Sequence, residues 1–129
     1  MKQEFDELLC ARYPKLMVNR QKTMQETCMY WGFECGDGWF DILDQLMANI
    51  QKHIDLKEKQ GLSIPQVTVD QVKEKFGTLS FYYTGGDEYI FGLVRMASSL
   101  SGVTCEVCGK PGKQTGDRWI KTRCEEHKD

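Results

Sequence analysis

The chain has 129 residues, of which 40% are hydrophobic and 28% charged, with a formal net charge of −2. One compact domain is the expectation at that length, and 3 Trp, 5 Tyr and 6 Phe supply too much aromatic mass for a disordered tail. A balance of 17 basic against 19 acidic residues argues against a surface that tracks a phosphate backbone throughout and leaves only a local basic patch for such a role.

The opening Met1-Lys2-Gln3-Glu4-Phe5-Asp6 lacks the apolar run of a secretion signal. No uncharged stretch approaches the roughly 18 residues of a membrane span, so the chain reads as soluble and cytoplasmic, with no membrane partner. From Lys2 to Tyr13, Phe5, Leu8 and Leu9 recur at helical intervals until Pro14 stops the pattern. Thr23-Met24-Gln25-Glu26 has the form of a capping box and predicts a brief helical turn through Met29.

Gly32 to Trp39 holds 3 glycines in 8 residues and predicts a tight loop, after which Asp37 is placed to cap the strongest helix of the sequence. In that helix Trp39, Phe40, Leu43, Leu46, Met47, Ile50 and Ile54 share a face, and the pattern runs to about Lys59, where Gly61 ends it. Beyond Pro65 the period becomes twofold. Two antiparallel strands are expected near Gln66–Lys75 and Thr78–Thr84, joined by a turn at Gly77. Gly85-Gly86-Asp87 then opens a third helix with Ile90, Leu93, Val94, Ala97 and Leu100 on one face, closed by Gly102. A lone hairpin is not stable in water, so it must be covered by helices or extended by a strand from the tail.

The tail carries the strongest chemical signal: Cys105-x2-Cys108, then Cys124-x2-His127 after 15 intervening residues. Each x2 pair lets two donors meet one ion from a tight turn, which is the ligand pattern of a tetrahedral structural zinc. One zinc per chain is expected. Four protein ligands leave no coordination position for water, so a structural staple is expected and not a catalytic ion. The remaining thiols, Cys10, Cys28 and Cys35, are scattered and read as ordinary cysteines. The expected architecture is α+β: three helices and a β-hairpin over residues 1–102, with a Cys3His module over 103–129 packed on it as one folding unit.

Lys110, Lys113, Arg118, Lys121 and Arg123 form a basic stripe opposed only by Asp117 and interleaved with Trp119, a mixture suited to phosphate and base contact. Glu106, Glu125, Glu126 and Asp129 surround the stripe, and three thiolates with one divalent ion add a further negative charge, so the tail as a whole is near neutral. Tyr82 and Tyr89 fall off the apolar faces, where a partner-binding patch would lie. Glu34, Asp37, Asp41 and Asp44 could serve as acid and base or bind a cation, but the simpler account is an N-cap followed by acidic residues near the positive end of a helix. His53 reads as a half-buried structural histidine, with metal ligation or pairing to a cysteine nucleophile as the alternatives.

The strings FECGDGWFDILDQL, QVKEKFGTLSFYY, FGLVRMA and CEVCG-x-PG, followed by Trp119, Cys124 and His127, resemble a group of small uncharacterised bacterial and bacteriophage proteins. The resemblance covers most of the chain from Gly32 onward and carries no catalytic residues with it. It implies a small product of phage or prophage type, a class whose members often bind and block a host machine, CRISPR effectors included. The reading that results is a non-enzymatic, zinc-stabilised interaction protein that binds a host protein or nucleoprotein complex. A nucleic-acid-binding module working through Lys110–Arg123 is its alternative.

Overall fold

The computed structural model describes residues 1–128 and has the expected α+β architecture: three helices, a hairpin-centred sheet and a C-terminal Cys3His cluster. Helix α1 (Gln3–Arg12) ends before Pro14, as its pattern predicts. Its buried positions are Leu9 and Asp6, whereas Leu8 is exposed. Asp6 is buried because it is fully engaged: its carboxylate accepts the Phe33 N–H at 3.1 Å and the Arg20 guanidinium N–H at 3.3 Å.

The segment between α1 and the glycine loop departs from expectation. Glu26 reaches back to the Thr23 N–H and hydroxyl, but the turn that follows does not propagate. The 3-10 turn starts later, at Cys28–Trp31, where the Thr27 hydroxyl accepts the Met29 N–H at 3.0 Å. The glycine loop itself contains a two-residue strand, β1 (Phe33–Glu34), pairing parallel with Val72 and Lys73. Asp37 does not cap the following helix. Its carboxylate accepts the Lys2 N–H at 2.7 Å, and a 3-10 turn over Asp37–Trp39 leads into α2 (Phe40–Lys59).

Helix α2 buries Leu43, Leu46, Met47, Ile50 and Ile54, the face its periodicity selects. Strands β2 (Thr68–Lys75) and β3 (Thr78–Thr84) pair antiparallel, giving a sheet of order β1-β2-β3. An irregularity between Val69 and Gln71 shifts the register. One extra residue reverses the strand's alternation, so Val69 and Val72 both face the core where strict period two would send Gln71 inward. The hairpin is therefore extended by the glycine loop and not by the tail, whose strands β4 (Lys113–Thr115) and β5 (Lys121–Arg123) form their own pair.

Helix α3 (Glu88–Ser101) packs on α2 and β3, and Asp87 caps it by accepting the Ile90 N–H at 3.1 Å. The second carboxylate oxygen of Asp87 lies 2.8 Å from His53 Nε2, and the Tyr89 ring stacks on the imidazole with centroids 4.2 Å apart. His53 is thus a structural link between α2 and the start of α3. Among the described residues no helix is long and apolar enough to cross a membrane.

Burial opposes the charge on Asp87, but the hydrogen bonds from His53 and the Ile90 N–H prevail and hold its carboxyl below the usual range. A carboxylate with a lowered folded pKa stabilises fully above its unfolded value, and that contribution disappears as pH falls through the lowered one. Asp87→Ala is therefore expected to lower the free energy of unfolding in urea by about 1–2 kcal/mol at pH 7. The difference from the unsubstituted protein should shrink as the pH drops below the ordinary carboxylate range.

Candidate metal centre

Two tight turns bring the four predicted ligands together. In the first, the Cys105 N–H donates to the Lys110 carbonyl at 2.8 Å and the Gly109 N–H donates to the Cys105 carbonyl at 2.9 Å. Gly109 holds φ +82°, a conformation that side chains disfavour, and this lets the chain turn directly behind Cys108. In the second turn the N–H groups of His127 and Lys128 both donate to the Cys124 carbonyl.

The ligand atoms of Cys105, Cys108, Cys124 and His127 all lie within 4.8 Å of one another. Cys108 Sγ is 3.7 Å from Cys124 Sγ, and His127 Nδ1 is 3.7 Å from Cys105 Sγ and 3.2 Å from Cys124 Sγ. A tetrahedral ion with metal–sulfur bonds of about 2.3 Å separates its sulfurs by about 3.8 Å. The cluster therefore has the donor set, and close to the size, needed to hold one metal ion. Among the described residues no other group of His, Cys, Asp and Glu side chains is so placed.

The thiols within and outside the cluster differ electrostatically. Burial opposes ionisation of Cys105, but backbone N–H groups of Cys124, Cys108 and Val107 converge on its sulfur and bring it down to about 6. At Cys108 the Lys110 N–H acts downward, yet desolvation and the adjacent Cys124 and Cys105 side chains raise the thiol overall. Burial pushes Cys10 up to about 11 and Cys35 up to about 12, which makes both inert thiols. Cys28 is exposed and outside the cluster.

The glycine loop supplies the seat for the first turn. The Gly38 N–H donates to the Glu106 carbonyl at 2.7 Å, and Trp39 Nε1–H donates to the Thr104 carbonyl at 2.9 Å. A Cβ on Gly38 would lie 2.1 Å from the Cys105 carbonyl oxygen, and one on Gly36 would lie 2.3 Å from that of Glu106. Both glycines are needed because backbone meets backbone there. Glu106, buried between the ligand Cys105 and Val107, accepts the Gly36 N–H at 2.8 Å and pairs with Arg123 at 3.1 Å. Neither Glu106 nor the glycine pair was singled out as part of the site by spacing.

The structure separates the basic stripe into engaged and free side chains. Lys121 Nζ contacts Glu74 Oε1 at 2.5 Å, Arg123 is held by Glu106, and Lys110 lies 3.4 Å from Glu126. Lys113, Arg118 and Trp119 are exposed, and Trp119, at 78% accessible, is the most exposed large apolar side chain of those described. Tyr82 lies on β3 with Lys73 Nζ 5.8 Å from its ring centre, and Tyr89 stacks on His53, so neither stands beside Trp119. The acidic group disperses: Asp44 pairs with Arg12 at 2.9 Å and accepts the Tyr13 hydroxyl at 2.6 Å, while Asp37 serves Lys2.

Gly38→Ala forces two backbones apart and should destabilise the protein by about 3 kcal/mol while lowering its metal content, whereas Gly92→Ala, in a helix with open space around it, should stabilise by about 0.5–1 kcal/mol. Denaturant titration with metal analysis of both variants checks the contrast. Cys108→Ser should abolish stoichiometric metal binding. No protein-family model matches this chain, and no curated protein or solved structure matches it either.

Proposed function

We propose that the protein is a non-enzymatic interaction module, stapled by one structural zinc ion, that binds a larger protein or nucleoprotein. Soft thiolates with one imidazole in a tetrahedral set favour zinc over the harder divalent ions. Three thiolates and His127 complete the ion's coordination, which favours a structural role over activation of water. Residues 1–102 and the tail are proposed to fold as one unit, because the first metal turn rests on the backbone of the glycine loop. In a phage or prophage setting such binding would block a host defence machine in the bacterial cytoplasm.

The observation that carries the contact assignment is the presentation of Trp119. Gly116, at φ +94°, turns so tightly that a Cβ would lie 2.4 Å from the Trp119 carbonyl oxygen, which closes the β4–β5 loop and leaves the indole outside it. An exposed Trp on a closed loop contributes little to the core and is well suited to anchor a partner. The nucleic-acid alternative narrows from the whole Lys110–Arg123 stripe to Lys113, Arg118 and Trp119, since Lys121 and Arg123 are held by carboxylates and Lys110 lies beside Glu126.

Affinity capture from bacterial lysate with the tagged, metal-loaded protein tests the reading. A stoichiometric partner should be recovered with the unsubstituted protein and reduced at least tenfold with Trp119→Ala, while both proteins melt at the same temperature. Metal analysis should give about one zinc per chain. Recovery of no stoichiometric partner, or capture indifferent to Trp119, would contradict the proposal.

A further inference from the structure

The turn that joins β2 to β3 is Phe76-Gly77, with φ +52° at Phe76 and +84° at Gly77. Two-residue hairpin turns of this kind favour Asn, Asp or Gly at the first position, because a left-handed backbone crowds a bulky side chain. Phe76 accepts that strain and yet leaves its ring 71% accessible, so the ring returns little to the core. Strain of this sort gathers where a side chain must be displayed.

What the ring is displayed beside is specific. Glu74, Lys75, Phe76, Arg118, Trp119 and Ile120 line one open cleft of about 210 Å³. The hairpin tip and the β4–β5 loop are fixed relative to each other: the Thr122 hydroxyl donates to the Gly77 carbonyl at 2.5 Å, and Lys121 is bound to Glu74. Gly77 also leaves room for Ile120, whose methyl would sit 3.1 Å from an added Cβ. The backbone segments that carry Phe76 and Trp119 are therefore tied together.

The charges of the cleft are uneven. Glu74 is consumed, with one carboxylate oxygen on Lys121 and the other accepting the Gly77 N–H at 2.8 Å. Lys75 Nζ lies 5.9 Å from the Phe76 ring centre, and neither Lys75 nor Arg118 takes part in an ion pair among the described residues. Two π-faces flanked by two free cations complement a flat, electron-poor ring system tethered to phosphate.

We propose that this cleft binds single-stranded nucleic acid, stacking an unpaired base on Phe76 and Trp119 and holding the flanking phosphates with Lys75 and Arg118. The inference rests on the assignment of the Trp119 end as the contact face and names its ligand. Stacking on exposed aromatics tolerates any base, so sequence preference is weak. Asp117 adjoins Arg118 and the whole chain is acidic, so no long-range field gathers phosphate and the electrostatic footprint is limited to two contacts. Two contacts on a single strand give a slope of log K against log salt of about −1.4.

Fluorescence anisotropy with a labelled 20-nucleotide oligo-dT and a blunt duplex of the same length, each titrated with metal-loaded full-length protein, tests this. Saturable binding to the single strand, at least tenfold weaker to the duplex, is expected. Trp119→Ala should weaken it about tenfold, and Arg118→Gln should make the salt slope shallower by about 0.7. Phe76→Asn separates folding from binding, because Asn relieves the turn: the melting temperature should rise by about 2–5 °C while the affinity falls. Equal binding of duplex and single strand, affinity unchanged in Trp119→Ala and Phe76→Asn, or no binding at low salt would each overturn the proposal. If the oligonucleotide fails to bind while lysate capture still depends on Trp119, the interaction reading stands and the nucleic-acid ligand falls.

Discussion

Glu106 occupies the position on which the other contacts of the tail depend. It follows the ligand Cys105, is buried, and uses its whole polar outline: the carbonyl takes the Gly38 N–H, one carboxylate oxygen takes the Gly36 N–H, and the other takes Arg123. A buried carboxylate is tolerated only when its oxygens are met by donors and countercharge, and removal of one partner leaves an expensive orphan. Arg123 immediately precedes the ligand Cys124, so the same carboxylate ties the first metal turn both to the core loop and to the second turn. The candidate ligand cluster and the core packing thus constrain the same few residues, and these bonds set the cluster into the fold.

The constraint propagates to the far end of the tail. With β5 anchored at Arg123, Thr122 and Lys121 meet the tip of the β2–β3 hairpin, where they satisfy Gly77 and Glu74. Burial opposes the charge on Glu74, but the bonds from Lys121 and the Gly77 N–H hold its carboxyl below the usual range. Those contacts use cations that otherwise look available for a ligand. They also bring Trp119 next to Phe76, so an apparent loss of basic surface is what builds the aromatic cleft.

Legibility followed sequence distance. The four ligands were readable because each pair is separated by two residues, and the x2 spacing itself encodes the turn. The apolar faces of α2 and the course of β3 were readable from periodicity alone. Strand β1 was not, since two residues carry no period and exist as a strand only through pairing with Val72 and Lys73. Asp37 looked like a helix cap until the N-terminus of α1 claimed its carboxylate from 35 residues away. The ion pairs within the basic stripe were hidden for the same reason: Lys121 and Glu74 are 47 residues apart, and no local pattern announces that they pair. The glycine loop was legible as a loop, but its reason, close approach of two backbones, needs the partner backbone to be seen.

The central claim is that the metal site and the core are one cooperative unit joined through the Gly36–Trp39 seat. Hydrogen exchange of individual amides, compared between metal-loaded and chelated protein, tests it most directly. If the claim holds, chelation should strip protection from the Gly36 and Gly38 N–H groups and from the β2–β3 tip along with the tail, because the two glycine N–H groups donate to Glu106 and the tip is held by the Thr122 hydroxyl and Lys121 of β5. Loss of protection confined to residues beyond 103, with Gly36, Gly38 and the hairpin unchanged, would contradict it.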